Sequence, residues 1–196
     1  MCSWCWGFHS TFTQLKQAIA SKLRITFVLG GLAPDSSEPM PEQMRLMLRD
    51  TWRTIQTKVP GTEFNFDFWA KCAPRRSTYP ACRAVIAAKN QRPEIEDDMI
   101  VAIQRAYYLN AQNPSDDDTL IAIADSLELN TDLFSADLHS DQTQVRLLHE
   151  IALSQRLGVQ GFPSLVLNTG NNNHPIPIDY NSADVILARI NQIDGA

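Results

Sequence analysis

The sequence lacks the features that mark membrane, secreted and nucleic-acid-binding proteins. It has no apolar run of about 18 residues, the length that a membrane-spanning helix needs. Its first residues form neither the basic nor the apolar region of a secretory signal. Asp and Glu, at 22, outnumber the 17 Lys and Arg, the net charge is −5, and no basic run is long enough to follow a phosphate backbone. We therefore expect a cytoplasmic protein that binds neither membranes nor nucleic acid.

Cysteine is also scarce, because the chain has only Cys2, Cys5, Cys72 and Cys82. A chain of 196 residues with 44% hydrophobic content can bury a substantial core without covalent cross-links. The cysteines are too few for a disulfide scaffold at this size. The spacing of Cys2 and Cys5, with two residues between them, indicates redox chemistry or metal binding instead.

The segment after the first two cysteines has the pattern of a helix followed by a strand. Apolar residues recur every three or four positions, at Phe12, Leu15, Ile19 and Leu23. This spacing predicts a helix with the cysteine pair at its amino end. Residues 25–29 are a short β-branched and aromatic run that two glycines stop, which predicts a buried strand.

The long middle block, residues 34–157, has helical patterns throughout. Helices are predicted over 41–58, 77–90, 94–110, 115–129 and 140–157. Pro41 and Pro80 lie near the starts of two of these segments, where the fixed φ of proline suits the first turn of a helix. The block is therefore predicted to be an all-helical domain.

Strand patterns return beyond residue 158. Leu165 to Leu167 form a short apolar strand, an Asn-rich turn follows, and the alternating prolines and isoleucines of 174–178 fit an edge strand. A last helix is predicted to begin near residue 181 or 182. The order of elements predicts an α/β fold made of 1–33 and 158–196, interrupted by the helical domain 34–157.

The dithiol at a helix start suits thiol–disulfide exchange. The unpaired N–H groups and the dipole of a helix N-terminus favour a negative charge, so we expect the pKa of Cys2 to be lowered. Cys5 lies one turn later and can close on a mixed disulfide to release the substrate. Ser3 and Trp4, between the two cysteines, then tune how strongly the thiolate is stabilised.

Four other interpretations of the cysteines remain open. A Cys-x-x-Cys pair is half of a zinc site, and Cys72 with Cys82 could supply the other half, although their spacing is unlike common structural zinc sites. The pair could also be two buried cysteines. Cys82 shares an apolar helix face with Val85, which favours core packing, and a second redox pair of Cys72 and Cys82 is a further reading.

Three motifs together resemble the DsbA family of thioredoxin-fold disulfide oxidoreductases. They are "CSWCWGF" at the start, "YPACRAVIAAK" in the helical block and "GVQGFPSLVL" before the last helix. They occur in the family's order, and the likeness covers nearly the whole chain. The likeness is strongest to the cytoplasmic FrnE-like branch, whose members are often labelled protein-disulfide isomerases.

The resemblance implies a site as well as a fold. A proline in the cis configuration faces the dithiol in that family, which maps onto Pro163. The backbone of Phe162 is then expected to pair with an extended substrate segment. The implied helical domain lies over the site, and Ser3, Trp4 and Phe162 are the expected substrate contacts, while Cys2, Cys5 and Pro163 are the expected catalytic residues.

The implied activity is thiol–disulfide oxidoreduction or isomerisation on protein or peptide thiols and disulfides, without a metal or an organic cofactor. Glutathione is a further candidate partner. One departure stands out: family members have a strand directly before the dithiol, and here only Met1 precedes Cys2. A missing interior strand would leave backbone groups unpaired, so we expect that the natural start lies upstream, that the strand was left out of this sequence, or that another chain fills its place; a shortened sequence is the favoured explanation.

Two other functions remain as alternatives. Kappa-type glutathione transferases and 2-hydroxychromene-2-carboxylate isomerases share the architecture, but they usually carry a single Ser or Cys at the active position, and Cys5 argues against them. The second alternative is a non-catalytic zinc-binding or interaction module.

Overall fold

A computed structural model describes residues 1–170 and 172–194 of the chain. Within these residues the fold is mostly helical, with one sheet of two strands. The helices are α1 (Ser3–Ile19), α2 (Glu42–Lys58), α3 (Phe68–Lys71), α4 (Tyr79–Gln91), α5 (Glu96–Tyr108), α6 (Asp117–Ser126), α7 (Thr131–Leu138), α8 (Asp141–Arg156) and α9 (Ala183–Asp194). A short 3₁₀ turn, Pro93–Ile95, precedes α5. Among the described residues, none of the helices is both long enough and apolar enough to cross a bilayer.

The α/β part is built from the two ends of the chain. Strands β1 (Leu165–Asn168) and β2 (Asn173–Ile176) pair antiparallel, with Leu165 opposite Ile176. Helices α1 and α9 pack against each other, and α9 also contacts β2. The buried residues that join these elements are Phe8, Leu15, Ile19, Leu167, Ile176, Ala183, Ile186 and Ile190. The predicted α/β fold with a helical block is confirmed, whereas the domain boundaries at 33 and 158 stay a prediction.

The prediction of a strand over residues 25–29 is wrong, because none of the described segments pairs with these residues in a sheet. A strand exists only where a neighbouring backbone accepts and donates its hydrogen bonds. Here side-chain contacts hold the segment instead: the ring of Phe27 meets that of Phe12 edge-on with centroids 5.9 Å apart. The N–H of Leu29 donates to the Glu150 carboxylate at 2.7 Å.

The helical block is organised around α4. This helix contacts α5, α7 and α8, and its small residues Ala84, Ala87 and Ala88 are fully buried at the contacts. Small side chains let neighbouring helices approach closely, and the larger Met99, Leu120 and Phe134 fill the space between them. The predicted helices of the block are present, including α2 over nearly all of 41–58.

An aromatic cluster joins α1 to the helical block. Trp52 of α2 is fully buried at its centre, and its indole N–H donates to the Ser3 hydroxyl at 3.0 Å. Its ring meets six other aromatic rings, those of Phe64, Phe66, Phe68, Trp69, Tyr107 and Tyr108. The cluster therefore fixes the first turn of α1, which carries the dithiol.

Candidate active site

The two cysteines stand where α1 begins. Cys2 is the N-cap residue, with extended backbone angles, and its sulfur accepts the backbone N–H of Cys5 at 3.2 Å. A thiol sulfur thus takes the place that a Ser, Thr or Asp oxygen usually has at an N-cap. The unpaired N–H groups and the dipole of the helix favour a negative charge at this position.

The pKa values of the two thiols move in opposite directions. The Cys5 thiol hydrogen-bonds the Cys2 sulfur, and this is the main cause that lowers the pKa of Cys2, against the opposing effect of burial. The same hydrogen bond, together with burial, raises the pKa of Cys5 well above its ordinary value. Cys2 is therefore the sulfur that ionises first, and Cys5 retains its proton.

The loop before β1 lies directly against Cys2. The Phe162–Pro163 peptide bond is cis, as the resemblance implies. The Cys2 thiol donates to the backbone oxygen of Phe162 at 3.3 Å. This contact joins residues 160 positions apart in the chain, so Cys2 and the loop are brought together only by the tertiary fold.

The ring of Phe162 rests on the backbone of Gly30. A Cβ atom placed on Gly30 would lie 2.0 Å from Cζ and 2.1 Å from Cε1 of that ring. A glycine is therefore required at this position if the ring is to keep its place. A Cβ atom on Gly161, in the same loop as Phe162, would meet no atom within 4 Å.

We expect Gly30→Ala to displace the Phe162 ring, because the added carbon and the ring cannot occupy the same space. The expected cost is about 1–3 kcal/mol of unfolding free energy, typical of overpacking, together with slower reaction of Cys2 with a peptide disulfide. Urea unfolding and stopped-flow thiol kinetics measure the two effects. The matched control is Gly161→Ala, which should change neither the unfolding free energy nor the reaction rate of Cys2. Equal behaviour of the two variants would contradict the contact between Gly30 and the Phe162 ring.

An open cavity of about 280 Å³ extends from the dithiol. Its walls come from α1, from the segment 27–32, from α4 and α5, and from the loop 162–165. Most of the wall is apolar, and the polar side chains on it include His9, Asp97 and Gln104. A cavity of this kind, apolar with a few polar groups beside a reactive residue, is typical of a binding site.

Not every expected substrate contact faces this cavity. Phe162 and Pro163 line it, whereas Ser3 and Trp4 do not. Ser3 is buried, with its hydroxyl bonded to Trp52, and the ring of Trp4 packs against that of Tyr180 with centroids 5.1 Å apart. Side chains inside the Cys-x-x-Cys turn thus point to other parts of the fold, which the spacing of the motif does not reveal.

The remaining cysteines lie in different surroundings. The Cys72 thiol packs against the aromatic cluster and donates to the Ala111 oxygen at 3.0 Å. Cys82 lies on the wall of the cavity that extends from the dithiol, and burial raises its pKa to about 11. The structure therefore gives no support to a Cys72–Cys82 redox pair. Over residues 1–170 and 172–194, no three His, Cys, Asp or Glu side chains are grouped so that they could hold a metal ion.

The sequence indicates one further residue of the cavity and misses another. His9, one helical turn past Cys5, is the one histidine that the sequence places near enough to affect the thiols, and it lies on the cavity wall. Asp97 of α5 forms an ion pair with Lys16 at the edge of the cavity. No local pattern marks Asp97, because it belongs to an acidic first turn that any helix can carry.

Comparison with known proteins gives the family. The family model described as Thioredoxin matches residues 1–182. The chain belongs to the thioredoxin family. Its fold matches a candidate protein disulfide isomerase from Nitrosomonas europaea, with a TM-score of 0.84, 25% identity and coverage of 98% of this chain and 92% of the other. The expected DsbA-type thioredoxin fold is thereby confirmed.

Two further comparisons extend this picture of the thioredoxin-family chain. The cytosolic disulfide reductase DsbM from Pseudomonas aeruginosa has the same fold, with a TM-score of 0.80, 21% identity and coverage of 100% of this chain and 96% of the other. A curated relative, the ClpXP adapter protein SpxH of Halalkalibacterium halodurans, is 26% identical over 175 residues, which are 87% of this chain. The matched region spans 56% of that relative, little more than half of its length.

Proposed function

We propose that this chain is a cytoplasmic thiol–disulfide oxidoreductase that acts on protein or peptide disulfides through Cys2 and Cys5. One observation carries the proposal. The Cys2 sulfur caps α1, accepts the N–H of Cys5, faces the Phe162 oxygen and lies on the wall of the cavity. This arrangement lowers the pKa of Cys2 and leaves a second thiol one helical turn away.

The reaction follows from the two thiols. The Cys2 thiolate attacks one sulfur of a substrate disulfide, forms a mixed disulfide and expels the other substrate sulfur as a thiolate. Cys5 then loses its proton and attacks the Cys2 sulfur, which forms the Cys2–Cys5 disulfide and releases the second substrate thiolate. The substrate gains the two electrons that the dithiol loses. The reverse sequence oxidises a substrate dithiol.

The loop at Pro163 is proposed to orient the substrate. Pro163 lines the cavity beside the dithiol, and the oxygen of Phe162 is held within hydrogen-bond reach of Cys2. When a substrate sulfur replaces the thiol proton, this oxygen loses its partner and can accept an N–H from an extended substrate segment. Trp4, half-buried next to Cys2, is the proposed outer contact, and Ser3 holds the first turn of α1 in place.

The substrate class is proposed from the surface next to the dithiol. A second cavity, of about 250 Å³, adjoins the first through Leu32 and Thr78 and carries Met40, Met44 and Met47 on its walls. Flexible thioether side chains adapt to varied apolar groups, which suits polypeptides of differing sequence. Glutathione is proposed as a small partner of the dithiol, because one solved structure of the structurally similar DsbM is of that protein with GSH.

The decisive experiment traps the covalent intermediate. Replacement of Cys5 by Ser removes the resolving thiol, so a protein or glutathione disulfide should accumulate as a stable mixed disulfide on Cys2. We expect about one equivalent of adduct, detected by intact mass and mapped by peptide digestion. The matched control is Cys72→Ser, which keeps both reactive thiols and should accumulate no adduct.

The same variant separates the alternatives. Adduct formation at Cys72 or Cys82, or no adduct at all, would overturn the proposed function. Glutathione turnover that survives Cys5→Ser would favour a glutathione transferase or 2-hydroxychromene-2-carboxylate isomerase type of enzyme instead. More than trace zinc bound by cysteine in the purified protein would favour a metal-binding module.

A further inference from the structure

His9 lies on the same face of α1 as the two cysteines. Positions 2, 5, 9 and 12 follow one another at intervals of three or four residues, so their side chains form one stripe along the helix. All of them line the cavity that extends from the dithiol. Helical residues four apart have Cβ atoms about 6 Å from each other, a separation that a single water molecule can bridge between the Cys5 sulfur and the His9 ring.

The orientation of the His9 ring is fixed by stacking. Its centroid lies 5.3 Å from that of Trp6, with 18° between the ring planes. Trp6 is itself held, because its indole N–H donates to the Glu63 oxygen at 2.9 Å and its ring stacks on Tyr108. The Thr13 hydroxyl donates to the backbone oxygen of His9 and not to its ring. Within the described part of the chain, the ring nitrogens of His9 therefore have no hydrogen-bond partner.

The charges around His9 favour its neutral form. Burial is the main cause that lowers the pKa of His9, and Lys16 of α1 and Arg105 of α5 act in the same direction, against Asp97 of α5. A neutral imidazole has one free acceptor nitrogen at physiological pH.

Among the side chains that line the cavity, no other is a better acceptor. The segment 27–32 and the loop 162–165 contribute uncharged residues, and α4 contributes Cys82, whose raised pKa keeps it protonated. The Asp97 carboxylate forms an ion pair with Lys16 and is therefore a weaker proton acceptor. Glu150 of α8 accepts the N–H of Leu29 and is not among the residues that line the cavity.

Cys5 needs a proton acceptor in order to react. Its thiol is half-buried and hydrogen-bonded to the Cys2 sulfur, and it keeps its proton because its pKa is raised, yet only a thiolate attacks a disulfide. We propose that His9 accepts the proton of Cys5 when that thiol resolves the mixed disulfide on Cys2. This inference rests on the proposed oxidoreductase function and adds to it the group that activates the second thiol.

The proton of Cys5 passes, through one water molecule, to the free nitrogen of His9, and the electron pair left on the Cys5 sulfur forms the bond to the Cys2 sulfur. The bond between Cys2 and the substrate sulfur breaks, and its electron pair leaves with the substrate as a thiolate. The imidazolium then returns its proton to the departing thiolate or to solvent.

Ellman's reagent resolves the two steps. With the reduced protein in a Cys72→Ser background, attack by Cys2 releases one coloured thiolate and resolution by Cys5 releases a second, each visible by stopped-flow absorbance. We expect His9→Gln to leave the first release unchanged. The second release should be slower by about 10²-fold near pH 7, the lower end of what a positioned base contributes.

The pH profile identifies the role of His9. With His9 present, the rate of the second release should change little between about pH 7 and pH 9, because the His9 imidazole is already neutral over this range. In His9→Gln the same step should accelerate by about tenfold per pH unit, because only solvent hydroxide then ionises Cys5. Free imidazole should restore part of the lost rate at neutral pH.

A second variant separates proton transfer from packing. His9→Phe keeps a flat ring against Trp6 but has no acceptor nitrogen, so it should show the same deficit as His9→Gln. The inference about His9 would be overturned if the second release in His9→Phe had the wild-type rate. It would also be overturned if the rate of the second release depended on pH in the same way in His9→Gln and in the wild type. Absence of a rapid first release, or its survival in Cys2→Ser, would instead overturn the proposed function.

Discussion

Replacing Cys2 by Ser should reduce catalysed disulfide exchange to the uncatalysed background, a loss of about 10³-fold or more. A serine hydroxyl does not ionise near neutral pH, so the N-terminus of α1 has no nucleophile to stabilise. Reduction of insulin measures the reductase activity, and reactivation of scrambled ribonuclease measures disulfide isomerisation. The fold should survive, because the serine hydroxyl can still accept the Cys5 N–H that the Cys2 sulfur accepts now.

Cys72→Ser is the matched control for this experiment. Its thiol is half-buried and bonded to a backbone oxygen in the aromatic cluster, away from the cavity that contains the dithiol. We expect turnover close to that of the unmodified protein. Equal activity of Cys2→Ser and Cys72→Ser would show that Cys2 is not the nucleophile.

Replacing Trp52 by Ala should lower the free energy of unfolding by about 3–5 kcal/mol, the usual cost of removing a fully buried tryptophan. The side chain fills the centre of the aromatic cluster, so its loss leaves a cavity. The Ser3 hydroxyl also loses the N–H that it accepts from Trp52. This is a large share of the roughly 5–15 kcal/mol that stabilises an ordinary domain, and urea unfolding followed by circular dichroism measures it.

Two controls separate the volume of Trp52 from its hydrogen bond. Trp52→Phe keeps an aromatic ring and loses the indole N–H, so it should cost distinctly less than the alanine variant. Leu133→Ala removes a side chain that is 59% exposed and should be nearly neutral. A cost for Trp52→Ala close to that of Leu133→Ala would contradict a structural role for the cluster.

The helices and the position of the dithiol could be predicted because they depend on local patterns. The spacing of apolar residues predicts α2 and α4 to within a few residues, since a helix must turn its apolar stripe toward the core. The prediction for residues 25–29 failed for the opposite reason. A β-branched run shows only that a strand is locally acceptable, and a strand also needs a pairing partner.

The sequence by itself determined the dithiol at a helix start, the helical block and, through the family motifs, a proline loop that belongs with the dithiol. The tertiary structure decided which side chains meet. It turned Ser3 toward Trp52, set the Phe162 ring on Gly30 and placed His9 and Cys82 on the wall of the cavity. Helix caps and the spacing of apolar residues depend on a few neighbouring residues and can be recognised in the sequence. These contacts depend on how separate elements pack against one another.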